Sequence, residues 1–236
     1  MLIKAKTLKS YKLYCRDGEI GKINGFYFDN RHLTIRYLVV DTGNWLTGRQ
    51  VLISPYALID VNKEEQYIIL NLTKKQIEDS PPLESNKAIS RQFENAYHGY
   101  YGWPMYWIGP YMWGDFPDII RNPNDWKEYT PVEKVQKSHL RSTNEVSSYD
   151  IQAEDGEIGH IEDFIIDDEM WTIQYLVIDT RNWWPGQKVL VASKWIKRIS
   201  WNKSEVIVNL LREAIRKSPK YTDETLLTKD YEAGLQ

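Results

Sequence analysis

The sequence predicts a mainly β protein made of two small six-stranded antiparallel barrels, with a short helix after the last strand of each. Three observations carry that reading: a long internal repeat, short runs of β-branched and aromatic residues, and turn chemistry between the runs. The repeat comes first. Displacing the 236-residue chain by 138 positions sets "DGEIGKINGFYFDNRHLTIRYLVVDTGNW" from Asp17 over "DGEIGHIEDFIIDDEMWTIQYLVIDTRNW" from Asp155 without a gap. The register holds to Ser80-Pro81 over Ser218-Pro219, with about 26 of roughly 65 aligned positions identical. Two copies of a module this long indicate two similar domains rather than a solenoid. Residues 1–98 form the first module with its C-terminal helix, 99–138 an aromatic-rich connecting segment, and 139–236 the second module.

Within each copy the apolar pattern is that of strands. "KLYC" and "GKINGFYF" lead into "LTIRYLVVDT", then "QVLIS", "ALIDV" and "YIILNL" follow at close spacing. The second copy repeats the series with "WTIQYLVIDT", "KVLVA", "WIKRIS" and "EVIVNL". Such short Ile-, Val-, Tyr- and Thr-rich runs fit pleated, half-buried strands. A sheet of six short strands hides its edges best by closing on itself. "LTKKQIEDSP" and "LLREAIRKSP" read as helical turns stopped before proline. A longer helix is expected from about Asn86 to Tyr97, with Ile89, Phe93, Ala96 and Tyr97 on its docking face.

The repeated pentapeptide "DGEIG" reads as a structural corner. Asp17-Gly18 and Asp155-Gly156 are hairpin signals, since glycine tolerates positive φ and aspartate bonds nearby backbone. Glu19 and Glu157 leave the turn exposed, while Ile20 and Ile158 re-enter the core. Gly21 and Gly159 permit a bulge or close backbone approach. The competing reading, a divalent cation held by these four carboxylates, lacks residues to complete a coordination shell. The loops "DTGNWLTGRQ" and "DTRNWWPGQK" repeat a second turn, in which Asp41, Asn44, Asp179 and Asn182 suit side-chain-to-backbone bonds. Trp45 and Trp183 either cap a barrel end or project as anchors, and Trp184-Pro185, present only in the second copy, are the better partner contacts.

On these residues the chain resembles the PRC-barrel family. The resemblance rests on the "DGEIG" turn, the acidic turns "FYFDN" and "FIIDD", the strands "IRYLVVDTGNW" and "IQYLVIDTRNW", and the downstream "FENAYHGYYGWPMYW". It implies small six-stranded barrels acting as protein-contact modules, with no motif-defined catalytic residue to carry over.

Composition excludes several function classes. A net charge of −3 and a pI near 5.9 provide no basic field for nucleic acid, which disfavours an RNA- or ribosome-associated role. No apolar run reaches the roughly 18 residues that span a bilayer, and a cytoplasmic location is expected. Cys15 is the single cysteine, read as an inert buried thiol. His32, His98, His139 and His160 are not spaced as ligands, and no catalytic or phosphate-binding motif occurs. No enzyme, cofactor or metal is expected. The segment from Tyr97 to Pro131 holds about eleven aromatics with only Arg121 and Lys127 as cations. It is expected to pack over the barrels, with Trp103, Trp107 and Trp113 as candidate contact residues. The leading expectation is a scaffold that meets an unidentified protein partner or a second copy of itself through loop aromatics and strand edges. The rival is a small-ligand-binding protein using the aromatic segment or a cleft between the barrels.

Overall fold

The computed structural model describes residues 2–30, 32–84, 89–107, 140–180, 187–218 and 221–222. The chain forms two compact units. The first holds Thr7–Ser142 with Met170–Thr172, and the second holds Met1–Lys6, Thr143–Glu169 and Ile173–Gln236.

In the first unit the strands are β2 (Lys12–Cys15), β3 (Gly18–Asp29), β4 (Thr34–Asp41), β5 (Arg49–Ile53), β6 (Leu58–Asn62), β7 (Tyr67–Leu70) and β8 (Leu83–Glu84). The second unit repeats β2–β7 as β10 (Asp150–Ala153), β11 (Gly156–Asp167), β12 (Thr172–Asp179), β13 (Lys188–Ala192), β14 (Ile196–Ser200) and β15 (Glu205–Val208). The two hydrogen-bonded orders correspond strand for strand: β5-β4-β3-β2-β7-β6 in one unit and β13-β12-β11-β10-β15-β14 in the other. Alternating burial explains why these runs are strands. In β3, for example, Ile20, Ile23, Phe26 and Phe28 point inward.

Three sequence expectations are corrected. The sheets are open, because no ladder joins β5 to β6 or β13 to β14 among the described residues. The edge of β5 that would close the ring is taken by β8 at Arg49 and Gln50, and Lys188 of β13 bridges Tyr221 in the same way. Nor are the sheets wholly antiparallel. Lys12–Tyr14 of β2 runs parallel to Tyr67–Ile69 of β7, and Asp150–Gln152 of β10 runs parallel to Glu205–Ile207 of β15. These strands are not consecutive, so no tight hairpin dictates their direction.

The third correction concerns the ends of the two modules. Strand β1 (Leu2–Lys4) pairs with the far end of β11, Ile3 opposite Ile166, within the second unit. Strand β9 (Leu140–Ser142) pairs with the far end of β3, Arg141 opposite Phe28, within the first. Each unit therefore takes one strand from the sequence of the other module. Helices α1 (Ala5–Leu8) and α4 (Thr143–Val146) follow these strands directly.

Helices α2 (Lys74–Glu78) and α5 (Arg212–Lys217) follow the last strands. Helix α3 spans Arg91–Tyr101, capped by Ser90, whose hydroxyl accepts from the Phe93 amide, and terminated at Gly102 in the left-handed conformation. It starts later than expected; part of the predicted start, 86–88, lies outside the described residues. Its buried face is also rotated: Ala96 is exposed, while Glu94, Tyr97 and His98 are buried. No described helix is long and apolar enough to cross a membrane.

Candidate functional site: the repeated corner and a buried polar cluster

The repeated pentapeptide is spent on shape. In both units β3 and β11 enter through a bulge: Leu13 faces Gly21 while Tyr14 faces Glu19, and Ile151 faces Gly159 while Gln152 faces Glu157. The extra residues, Ile20 and Ile158, are buried as expected, with Glu19 and Glu157 outside. Gly21 has φ +138 and Gly159 φ +152, and a Cβ on either would overlap the carbonyl oxygen of Asp41 or Asp179 respectively. Glycine is required there because the end of the neighbouring strand lies against its backbone.

The aspartate of the motif acts at longer range than sequence reasoning anticipates. Asp17 Oδ1 accepts from the amide of Lys74, 2.9 Å away and 57 residues downstream, and Asp155 Oδ1 accepts from the amide of Arg212 at 2.8 Å. Each carboxylate thereby satisfies an orphan N–H at the start of the helix behind the last strand. Helix α2 also has its own cap, Thr73 paired reciprocally with Gln76, whereas Leu211 gives α5 no side-chain cap. Arg49 closes the other end of α2, donating to the carbonyls of Ile77, Glu78 and Ser80. Glu19 pairs with Lys12 at 3.0 Å. Among the described residues no group of three acidic, histidine or cysteine side chains could hold a metal ion.

In the first copy the second repeated turn makes local bonds. Asp41 Oδ1 accepts from the Gly43 amide at 2.9 Å, and the Thr42 hydroxyl donates to the Trp45 carbonyl. Asn44 is exposed, Trp45 is half-buried with the Lys74 ammonium 5.8 Å from its ring centre, and Asp179 is buried. Asn182, Trp183, Trp184, Pro185 and Trp113 lie outside the described residues.

Side chains with chemical potential gather in the first unit, between α3 and β4. Glu94 is wholly buried; its carboxylate sits 2.8 Å from Arg91 and accepts from the Tyr106 hydroxyl. Tyr37 Oη lies 3.1 Å from Glu94 Oε1 and 3.0 Å from His98 Nε2. His98 Nδ1 is 2.9 Å from the Pro104 carbonyl, which can only accept, so that nitrogen carries a proton. Burial pushes the Glu94 carboxyl above its ordinary range against the pull of Arg91, and lowers His98 to about 4. The Arg36 guanidinium, 1% exposed, lies 4.0 Å from the Tyr106 ring centre and 3.5 Å from Asp29.

Aromatic rings seal this cluster. Trp103 stacks on Tyr101 with centroids 4.2 Å apart, and Trp107 packs edge-on against His98 at 5.1 Å with Arg91 4.2 Å from its ring centre. Both tryptophans are half-buried within the first unit. In the second module Gln174 stands at the position of Arg36 and Tyr175 keeps the place of Tyr37, while the residues aligned with Arg91–His98 lie outside the described residues. Sequence reasoning missed Arg36, Arg91 and Glu94 as interior groups because charged residues are ordinarily exposed. A signal was present: Glu94, Tyr97, His98 and Tyr101 follow i, i+3, i+4, i+7 spacing, with a carboxylate inside an aromatic stripe. Chemically the cluster is a clamp. Its polar atoms face each other, and Glu94, Tyr37, Arg36 and His98 are all at or below 1% exposure. Cys15 is likewise buried, and burial pushes its thiol up to about 12.

An open mainly β module with a capped helix behind its last strand defines the class of fold. Residues 2–77, from β1 through most of α2, match the family model of the PRC-barrel domain. The match includes β1, the strand that lies with the second unit. No curated protein matches the chain.

Proposed function

We propose that the protein is a non-enzymatic protein-interaction module, built by internal duplication of a PRC-type unit. The observation that carries this reading is the inward turn of the polar cluster: Arg36, Tyr37, Glu94 and His98 are consumed by one another and by the packing of α3, with no exposed face for a substrate. The family is not typically catalytic, which agrees. What remains at the surface among the described residues are the outer strands of open sheets and the Trp45 turn, which suit contact with a polypeptide partner. A cytoplasmic location follows as part of the same proposal.

The test is a paired measurement on the full chain. A thermal-shift panel of metabolites is expected to give no reproducible stabilisation, while affinity purification from the native host retains a stoichiometric polypeptide that Trp45→Ala or Ile59→Lys weakens. Stabilisation by one metabolite class, with no retained polypeptide, would establish a ligand-binding protein instead.

A further inference from the structure

Strand β6 is the last of its sheet and pairs only with β7 among the described residues; β14 is the corresponding last strand in the second unit and pairs only with β15. The outer side of such a strand presents backbone N–H and C=O groups that another strand can pair with. Edge charges usually prevent this, and both strands carry them, but with opposite sign. On β6, "LIDVN", Asp60 is exposed, and Glu64 and Glu65 follow in the next turn. On β14, "IKRIS", Lys197 and Arg198 are exposed. Asp60 and Arg198 occupy equivalent positions 138 residues apart, and neither belongs to an ion pair among the described residues.

We infer that β6 of one molecule pairs antiparallel with β14 of a second copy of this chain. Aligning the equivalent centres sets Asp60 directly opposite Arg198 and Ile59, 56% exposed, opposite Ile199. Opposite charges and apolar pairs facing across strands stabilise such a ladder, while like charges in the same place oppose it. A β6–β6 pairing places Asp60 against Asp60, and a β14–β14 pairing places Arg198 against Arg198. The charges therefore select the mixed pairing and reject both alike ones. Bulges at Ile59 and Lys197 shorten the regular edge, which keeps the association reversible. The inference rests on the interaction-module reading and names one partner for it.

Sedimentation velocity on the full chain tests it across protein concentration and salt. Wild type is expected to self-associate with concentration and to dissociate as salt rises. Asp60→Arg leaves two basic edges and Arg198→Asp two acidic edges, so each variant alone is expected to associate at least tenfold more weakly. Both substitutions lie on exposed positions, and matching circular dichroism and melting curves verify the fold. Mixing the two single variants, or combining them in one chain, is expected to restore association. A wild-type chain that stays monomeric, or single variants that associate as wild type does, overturns the inference. Monomers that still retain a foreign polypeptide overturn only this self-pairing, whereas monomers retaining none sink the interaction-module reading as well.

Discussion

Replacing Gly21 by alanine probes the repeated corner directly. The backbone there has φ +138, and the added Cβ would overlap the Asp41 carbonyl oxygen, lie 2.9 Å from its carbonyl carbon and 3.0 Å from Thr42 Cα. All three atoms are backbone, so relief requires β4 to move away from β3. The dihedral strain costs about 1–3 kcal/mol, and forcing extra volume into a packed site costs about 1–3 kcal/mol more. A total near 4 kcal/mol lowers the melting temperature by about 8–16 °C for a chain of this size. Gly43→Ala is the control: φ is +59, but nothing lies within 4 Å of its Cβ, so about 1 kcal/mol and a shift of about 2–4 °C are expected. Differential scanning calorimetry reads both. Equal melting temperatures for the two variants would refute the close-approach explanation of "DGEIG".

Further outcomes follow from the same geometry. Asp155→Ala is expected to cost about 1–2 kcal/mol by urea titration, because Leu211 supplies no substitute cap, while Asp17→Ala costs less because Thr73 still caps α2. His98, held at about 4 by burial, binds fewer protons folded than unfolded between about pH 4 and 6.5. Its contribution is therefore complete above about pH 6.5 and lost as pH falls toward 4, by about 3 kcal/mol at most. The raised Glu94 carboxyl works in the opposite direction, gaining stability as pH falls, so His98→Gln is expected to flatten or reverse the acid limb of the urea-midpoint profile. Ile3→Asp should raise amide exchange at Ile165–Asp167 before it affects Tyr27–Asp29, since β1 pairs with β11. The reverse order would place β1 on the wrong sheet.

Much of the fold was legible because it is local. The runs "KLYC", "TIRYLVVD" and "YIIL" carry β-forming side chains of the right length, and each is a strand. The 138-residue displacement aligns strands that then occupy matching places in two sheets. What stayed hidden depends on distant neighbours. "LIK" and "LRS" are three residues each, too short to show alternation, so the exchange of β1 and β9 leaves no pattern. Asp17 looks like a turn residue in sequence, and only the fold brings the Lys74 amide to it. Closure was expected from edge avoidance, but β8 and the segment at Tyr221 take the edges that closing the ring requires. The site was least legible where burial overrides residue type, as at Arg36 and Glu94, whose charges suggest surface positions.

Native mass spectrometry of the full chain purified from its own host tests most directly the proposal that the reactive groups serve shape and the surface serves contact. The expected masses are those of polypeptide alone, the chain with further copies of itself or with another protein. A monomer carrying a stoichiometric metabolite or metal ion would contradict it.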